Sequence, residues 1–373
     1  MSAYCDYNAG APVRPEAADA LTRALSWGGN ASSVHQAGRR AKAALESARE
    51  SLGAALNARP ADIVFTSGAT EALQLALEAA RAADPNLYVI RSAVEHDALA
   101  EMRADAVFGV DRRGVADLAQ LETLLRDARG RPLVALMAAN NETGAIQPVA
   151  QVAEVVRRFG GLFLCDAAQA FGRTQLHAAE LGADYLVVSS HKIGGSPGAG
   201  ALVLGCDAPF VSPRRGGGQE RGRRSGTENV PAIAGFAAAA TIAAQSWASE
   251  AARLKTLRDD LEKQLRAAVR GIEFVGADAP RLANTSVFAL PGVKAETAVI
   301  AFDLAGVCVS SGAACSSGKV RRSRVLEAMG ASPLAMDGAV RASFGWASTQ
   351  ADVDALVAAA TKIAANARAK ELS

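Results

Sequence analysis

The sequence predicts an α/β protein with two domains, a large one built on a mostly parallel sheet and a smaller one of the α+β class. Its 373 residues exceed one typical hydrophobic core and suit roughly two domains of about 150 residues each. From about residue 60 onward, short apolar runs alternate with segments of helical periodicity. Such apolar strands, separated by helices, are typical of a parallel sheet that is covered on both faces.

The predicted elements of the large domain follow one another at short intervals. The run DIVFTSG, residues 62–68, predicts a strand that enters a glycine turn. The next segment, TEALQLALEAARAA, has apolar residues at helical spacing and Glu71 in its first turn, so a helix is expected there. Further strands are predicted at the runs NLYVIRS, PLVALMAA, GLFLCDA, DYLVVSS and GALVLG. Helices such as PVAQVAEVVRRFG separate several of these strands.

The pattern changes after Pro231. A long helix is expected from there to about Arg270, and its alanine-rich start, VPAIAGFAAAATIAAQSW, is interpreted as a buried or interface helix rather than a membrane span. The remaining predicted elements are the strand NTSVFALP, the helix KAETAVIAFDLAG, a cysteine-containing loop, the strand AVRASFG and a final helix. This mixture predicts the smaller α+β domain.

Composition and charge narrow the class of protein. The formal net charge of +2 gives no basis for binding nucleic acid or an anionic membrane, so neither partner is expected. The N-terminus MSAYCDYNAG lacks the basic start and apolar run of a signal peptide, and a cytoplasmic protein is expected. The cysteines form no C-x-x-C pair and predict neither a disulfide framework nor a metal site; they are Cys5, Cys165, Cys206, Cys308 and Cys315.

Polar residues follow several predicted strands, and ligands of an open α/β sheet bind beyond the carboxyl ends of its strands. The turn TSGAT, residues 66–70, opens a helix whose backbone N–H groups can bind phosphate, with the Thr70 hydroxyl as a further donor. A plain capping turn is the alternative. Asp166 follows the apolar run GLFLC, and Gln169 comes three residues later. This carboxylate either caps a helix, forms an ion pair or binds a protonated ring nitrogen.

Two further strand ends carry basic residues. His191 and Lys192 follow DYLVVSS and precede a glycine-rich turn. Desolvation at such a place lowers the pKa of a lysine, as Schiff-base chemistry requires. His96 follows NLYVIRS, where it either caps a helix or stacks on a planar ring. A Schiff-base lysine, an acidic partner for a pyridinium nitrogen and a phosphate cradle are together the groups that pyridoxal 5'-phosphate requires.

The segment SSGAACSSGKV, residues 310–320, raises the question of why a thiol lies among small residues. Free cysteine is usually buried, and nothing in this segment can pack around Cys315. An accidental surface cysteine is one interpretation. A thiol that acts in the chemistry of the site is the other.

Motifs along nearly the whole chain point to one family. In chain order they are YCDYNAGAPVRP, GNASSVHQAGRRA, FTSGATEALQLAL, VEHDAL, NNETGAIQPV, DAAQAFG, SSHKIGGSPGAGALVL, GGGQERGRRSGTENV, SSGAACSSGKV and VRASFG. The chain thereby resembles the class V aminotransferase family of fold type I pyridoxal phosphate enzymes and, within it, the cysteine desulfurases. The resemblance implies a large cofactor-binding domain with a sheet of the seven-stranded type.

The resemblance also implies a role for each matching residue. Lys192 would carry the cofactor as a Schiff base, and Asp166 would keep the pyridine nitrogen protonated. His96 would stack on the ring and take part in proton transfer, and Gln169 would contact the ring's phenolic oxygen. The phosphate would be bound by Gly68, Ala69, Thr70, Ser189, His191 and, from the neighbouring subunit of a homodimer, Thr227.

For the reaction, the resemblance implies L-cysteine as substrate, held by Asn141 and by a bidentate pair between Arg341 and the carboxylate. Cys315 would take the sulfur as a persulfide, L-alanine would leave, and the sulfur would pass to an acceptor such as an iron–sulfur scaffold protein. A selenocysteine lyase or another enzyme of the aminotransferase type with the same cofactor is the alternative function.

The implied domains are an N-terminal segment, 1–20, that packs on the small domain, the large cofactor-binding domain, 21–250, and the small domain, 251–373, which carries the cysteine loop. The sequence departs from the family pattern twice. It has NAGAP where two threonines commonly follow the alanine, which predicts a missing hydroxyl contact near the substrate. It also has VRRSRVL after the cysteine segment instead of a turn such as Pro-Ser-His.

Overall fold

The structure is a computed structural model that describes residues 2–311, 322–369 and, as backbone only, 315–316, 319–320 and 370–371. Its helices are α1 (Pro15–Leu25), α2 (Gln36–Leu56), α3 (Ala69–Ala83), α4 (Asp97–Ala100), α5 (Leu118–Arg126), α6 (Val149–Arg158), α7 (Ala178–Leu181), α8 (Val230–Ala268), α9 (Ala295–Leu304), α10 (Arg324–Ala328), α11 (Pro333–Gly338) and α12 (Gln350–Glu371).

The strands are β1 (Ala3–Tyr4), β2 (Ile63–Thr66), β3 (Leu87–Ser92), β4 (Ala106–Phe108), β5 (Arg131–Met137), β6 (Leu162–Asp166), β7 (Tyr185–Ser189), β8 (Gly200–Leu204), β9 (Glu273–Phe274), β10 (Thr285–Ala289), β11 (Val307–Cys308), β12 (Ser310–Ser311), β13 (Cys315–Ser316), β14 (Lys319–Val320) and β15 (Ala339–Ser343).

A seven-stranded sheet in the order β2-β8-β7-β6-β5-β3-β4 forms the centre of the large domain. Strands β7, β6, β5, β3 and β4 run parallel, whereas β8 pairs antiparallel with both β7 and β2. The predicted α/β class and mostly parallel sheet are confirmed. The apolar runs predict this sheet because its strands are covered on both faces. In β6, Phe163 and Cys165 pack into one hydrophobic cluster, and Leu162 and Leu164 pack into another on the opposite face.

Helix α8 confirms the predicted long helix after Pro231, and it packs against both the large sheet's domain and the smaller sheet. Its N-terminal part packs against α1 and α2, while Leu257, Leu261 and Leu265 lie in the core of the smaller sheet. By length and composition α8 is apolar enough to cross a membrane, and half of its most apolar window is buried inside the protein. The boundary predicted at residue 250 falls inside this helix.

The smaller sheet has the order β12-β15-β10-β9, and the N-terminal segment packs beside it. Strand β1 pairs in parallel with β11, and Ala3 and Cys5 are buried in the same core. Tyr7 lies so close to Gly345 that a Cβ at that glycine would overlap the tyrosine ring. The N-terminal residues are thereby held between the smaller sheet and the large domain.

Candidate active site

A cleft with a volume of about 740 Å³ opens at the carboxyl ends of β5, β6 and β7, beside the N-terminus of α3. This is where an open α/β sheet places its ligand site. The cleft is lined by most of the predicted site residues, namely Gly68, Ala69, Thr70, His96, Asn141, Asp166, Gln169, His191, Lys192 and Arg341. The fold therefore brings together residues that are separated by more than two hundred positions in the sequence.

Lys192 ends a short turn that follows β7, and its amine lies in the cleft. The Nζ atom donates hydrogen bonds to the backbone oxygens of Asn8, at 2.5 Å, and Ala9, at 3.0 Å. Burial, together with the positive charges of Arg173 and Arg341, lowers the pKa of Lys192 to about 8. Near neutral pH a fraction of this amine is therefore unprotonated and able to act as a nucleophile.

Asp166 is the last residue of β6 and presents a buried carboxylate to the cleft. Its Oδ1 atom accepts a hydrogen bond from the backbone N–H of Ala168 at 2.9 Å. Burial raises the pKa of Asp166 above its usual value, because the charged form loses its hydration. A ligand with a protonated nitrogen would stabilise the charged form, so the site suits a cationic ring.

The N-terminus of α3 forms a second wall of the cleft. Its N-cap residue is Gly68, and a Cβ at Gly200 on β8 would lie 2.7 Å from the backbone of that glycine. The sheet and the turn thus approach so closely that only glycine fits at residue 200. The first backbone N–H groups of a helix have no partner within the helix, and they can bind an anion such as phosphate.

His191 and Ser189 lie on the same side of the site. Burial and the charge of Lys192 lower the pKa of His191 to about 4, so its ring is neutral. Its Nδ1 atom is 3.0 Å from the Ser189 Oγ atom. When the serine hydroxyl donates to Nδ1, the Nε2 atom carries the proton and serves as a donor. Ser189 does not line the cleft itself and contacts it through His191.

His96 caps α4, and its Nδ1 atom accepts from the backbone N–H of Ala98 at 3.1 Å. This bond leaves the ring proton on Nε2 in the neutral form. The His96 ring also lines the cleft. One conformation of His96 can therefore cap the helix and face a ligand.

Arg341, on β15, is buried at the opposite wall of the cleft. Its Nη2 atom lies 2.7 Å from Asp6 Oδ1, and its Nη1 atom donates to the backbone oxygen of Asn141 at 2.8 Å. The Nε atom is buried without a hydrogen-bond partner. A buried donor of this kind is costly unless it is satisfied, and a bound carboxylate would satisfy it.

Two predicted residues remain, Thr227 and Cys315. Thr227 is exposed and does not line the cleft of its own chain. The side chain of Cys315 lies outside the part of the chain that the structure describes. The backbone of Cys315 is described, and it pairs with Val320 where β13 lies antiparallel to β14. Among the described residues, no group of three or more His, Cys, Asp or Glu side chains is arranged to hold a metal ion.

Sequence reasoning missed residues that act through the backbone or from behind the cleft. Asn8 accepts from both Lys192 and Gln169 through its carbonyl oxygen, and Asp6 binds Arg341. Both lie in the quoted motif YCDYNAGAPVRP, but no periodicity marks a carbonyl acceptor. At NAGAP, backbone oxygens rather than hydroxyls face the lysine.

The chain is similar to known enzymes over nearly its whole length. The model of the family Aminotransferase class-V matches residues 3–356. An IscS-like cysteine desulfurase of Mycobacterium tuberculosis is 37% identical over 100% of this chain and 98% of that protein. A cysteine desulfurase of Cereibacter sphaeroides is 39% identical over 95% of this chain and 93% of that protein.

A solved structure agrees with these relatives. The NifS-like protein of Rickettsia africae superposes with a TM-score of 0.90, at 31% identity, over 97% of this chain and 99% of that one. The match covers the sheet, the cleft and the smaller sheet together. The chain belongs to the class-V aminotransferase family and, within it, to the cysteine desulfurases.

Proposed function

We propose that this cysteine desulfurase uses pyridoxal 5'-phosphate bound in the cleft to convert L-cysteine to L-alanine, and that Cys315 takes the sulfur as a persulfide. The observation that carries the proposal is the convergence of Lys192, Asp166 and the N-terminus of α3 in one cleft. These supply an amine, a carboxylate and an anion site.

The residues present fit the cofactor. Lys192 would hold it covalently, Asp166 would bind its ring nitrogen, and His96 would lie against its ring. Gln169 would contact the phenolic oxygen, since only one of its two amide N–H groups is engaged by Asn8 in the described contacts. The phosphate would be held by Gly68, Ala69, Thr70, Ser189, His191 and a partner subunit's Thr227. When bound, the group supplies an electron sink for negative charge at the substrate's α-carbon.

The chain's own residues bind and orient the substrate. The unpaired Nε–H group of Arg341 would donate a hydrogen bond to one carboxylate oxygen, and Asn141 lines the same cleft. The neutral fraction of the Lys192 amine would remove a proton, and His96 Nε2 would hold or return one. Two carbonyl oxygens, of Asn8 and Ala9, would hold the Lys192 ammonium whenever it is protonated.

Sulfur transfer would be a displacement at the substrate's sulfur. The Cys315 thiolate would form a sulfur–sulfur bond while the substrate's carbon–sulfur bond breaks. The electron pair of the broken bond would stay on the substrate's β-carbon, which is then protonated to give L-alanine. The atoms and charges balance without an added oxidant or reductant.

Replacing Cys315 by alanine tests this assignment. We expect Cys315→Ala to keep its bound cofactor but to lose sulfide release and stoichiometric alanine formation by on the order of 10³-fold, because the attacking thiolate is gone. Alanine and sulfide are measured together by chromatography and a colorimetric assay. The matched control is Cys206→Ala, which removes an exposed cysteine outside the cleft. Full formation of alanine and sulfide by Cys315→Ala would show that Cys315 is not the sulfur acceptor, whereas a wild type that forms neither product would favour an aminotransferase-type enzyme or a selenocysteine lyase.

A second part of the proposal concerns assembly. Thr227 is exposed on its own chain, in a loop that Arg224 ties to Glu71 at the start of α3 by an ion pair of 2.9 Å. We infer that Thr227 completes the phosphate site of a neighbouring subunit in a homodimer.

A mixed dimer tests this inference. A Lys192→Ala subunit paired with a Thr227→Ala subunit would contain one wholly native site if Thr227 acts across the interface. We therefore expect about half of the wild-type cofactor-binding sites at native affinity. If every site of the mixed dimer binds weakly, Thr227 acts within its own chain.

The remaining parts of the proposal are the destination of the sulfur and the division of the chain. The persulfide sulfur would pass to an acceptor such as an iron–sulfur scaffold protein, in the cytoplasm. The units 1–20, 21–250 and 251–373 stay predictions. The pairing of β1 with β11 supports the first of them.

A further inference from the structure

Arg173 connects three parts of the cleft wall. Its Nη1 atom donates to the backbone oxygen of Gln169 at 3.3 Å and also to the Gln169 side-chain oxygen. Its Nη2 atom donates to the backbone oxygens of Tyr7 and Lys192, each at 3.1 Å. One guanidinium group thus holds the residue that precedes Asn8, the amide expected at the cofactor ring, and the backbone of the lysine.

The chain reaches this position through a tight turn. Gly172 has a φ of +73°, and a Cβ on it would lie 2.8 Å from the Ala243 Cβ atom and 3.0 Å from the Ile193 Cγ2 atom. A residue with a side chain would therefore be strained and would collide with α8. Glycine lets the turn after Gln169 pass close to α8 and direct Arg173 toward Lys192.

The acceptors of Arg173 are unusual for a partly buried arginine. All four described hydrogen bonds go to carbonyl oxygens, and in the part of the chain that the structure describes none goes to a carboxylate. Burial and the nearby charge of Arg341 lower the pKa of Arg173 to about 10, so it remains a cation. A neutral donor would make these bonds without the cost of burying a charge. The charge itself therefore has a role.

We propose that Arg173 is a positioning residue that holds Lys192 and Gln169 toward the cofactor and places a positive charge beside the lysine amine. The inference rests on the proposed function, because it assigns Arg173 a part in preparing the same lysine. It adds a residue that does not line the cleft and that sequence motifs did not mark.

The sign of the electrostatic effect follows from the groups around the lysine. Besides burial, the groups that act on its amine are the cations Arg173 and Arg341 and the carboxylates Asp166 and Asp6. The rings of His96 and His191 lie on the same wall, and His191 is neutral. Among these, Arg173 is the strongest lowering charge on the pKa of Lys192. Removing it must raise that pKa.

The experiment measures the lysine directly. The full-length protein is freed of cofactor by dialysis against hydroxylamine and labelled with a trace of acetic anhydride over a range of pH. The acetylation rate of Lys192 is followed by peptide mass spectrometry. We expect a midpoint of about 8 in the wild type and an upward shift of about one pH unit in Arg173→Gln.

Two further variants separate charge from position. Arg173→Lys keeps the charge, so its midpoint should match the wild type. One ammonium cannot span all four carbonyl acceptors, so the cofactor dissociation constant should rise about tenfold. The control Arg126→Gln removes an exposed arginine outside the cleft and should change neither quantity.

An unshifted midpoint in folded Arg173→Gln overturns the role of the charge. Wild-type cofactor affinity in Arg173→Lys overturns the positioning role, whether or not Arg173→Gln folds. The labelling uses neither L-cysteine nor cofactor. A protein that makes no alanine would count against the proposed function and would still report the pKa of Lys192.

Discussion

Replacing Lys192 by alanine is expected to reduce alanine formation from L-cysteine by on the order of 10³-fold or more. Lys192 is the only lysine among the described residues that line the cleft, and its amine is already held at one place by two backbone oxygens. No other described amine can take over its covalent role. The measurement is alanine produced per subunit, by chromatography, with cofactor supplied in excess.

The same variant has a second readout. After borohydride reduction of the cofactor-bound protein, peptide mass spectrometry should find the cofactor's mass on Lys192 in the wild type and nowhere in Lys192→Ala. The matched control is Lys255→Ala, an exposed lysine on α8 that pairs with Asp259. The assignment fails if Lys192→Ala keeps more than about a tenth of the wild-type rate, since an essential nucleophile cannot be replaced so easily.

The large sheet could be predicted from the sequence because its strands are buried on both faces. The strands β2, β6, β7 and β8 are buried at every position and apolar except at the last residue of β2, β6 and β7, so they stand out against the amphipathic helices between them. Strands such as β1 and β11 could not be predicted. Each has two residues, and their pairing depends on contacts between positions 3 and 307.

The site was predictable where chemistry requires a particular side chain after a strand. Lys192 and Asp166 are such residues, and the structure places both in the cleft. It was not predictable where a contact uses a carbonyl oxygen. The carbonyl oxygen of Asn8 and the guanidinium of Arg173 have no sequence pattern of their own, since their roles depend on which distant segment folds against them.

Loss of the Glu220 carboxylate is expected to have the largest effect on stability. Glu220 and Arg49 form an ion pair of 2.7 Å whose side chains are only 1% and 2% exposed. The carboxylate binds both terminal nitrogens of Arg49 and accepts from the backbone N–H of Phe65 on β2 at 2.8 Å. Glu220→Ala leaves this N–H without its acceptor and leaves the buried cation with only the more exposed Glu46, 3.3 Å from its Nε atom, as a counter-charge. We expect a loss of about 3–5 kcal/mol in the free energy of unfolding, measured by urea denaturation.

The control is Glu122→Ala, which breaks pairs between Glu122 and the exposed Arg126 and Arg158 and should cost less than about 1 kcal/mol.

A double variant separates the pair from the packing around it. Replacing both Arg49 and Glu220 by leucine removes the buried cation together with its main partner, so it should be less destabilising than Glu220→Ala alone, although the N–H of Phe65 still loses its acceptor. Glu220 also has a φ of +47°, and Glu220→Gly should relieve that strain and cost less than Glu220→Ala.

The pair matters for function because Glu220 anchors to β2 the loop that carries Arg224 and Thr227. Glu220→Ala should therefore weaken cofactor binding as well as folding. A stability equal to the wild type would show that water or a rearranged loop compensates Arg49, and the anchoring role would be wrong.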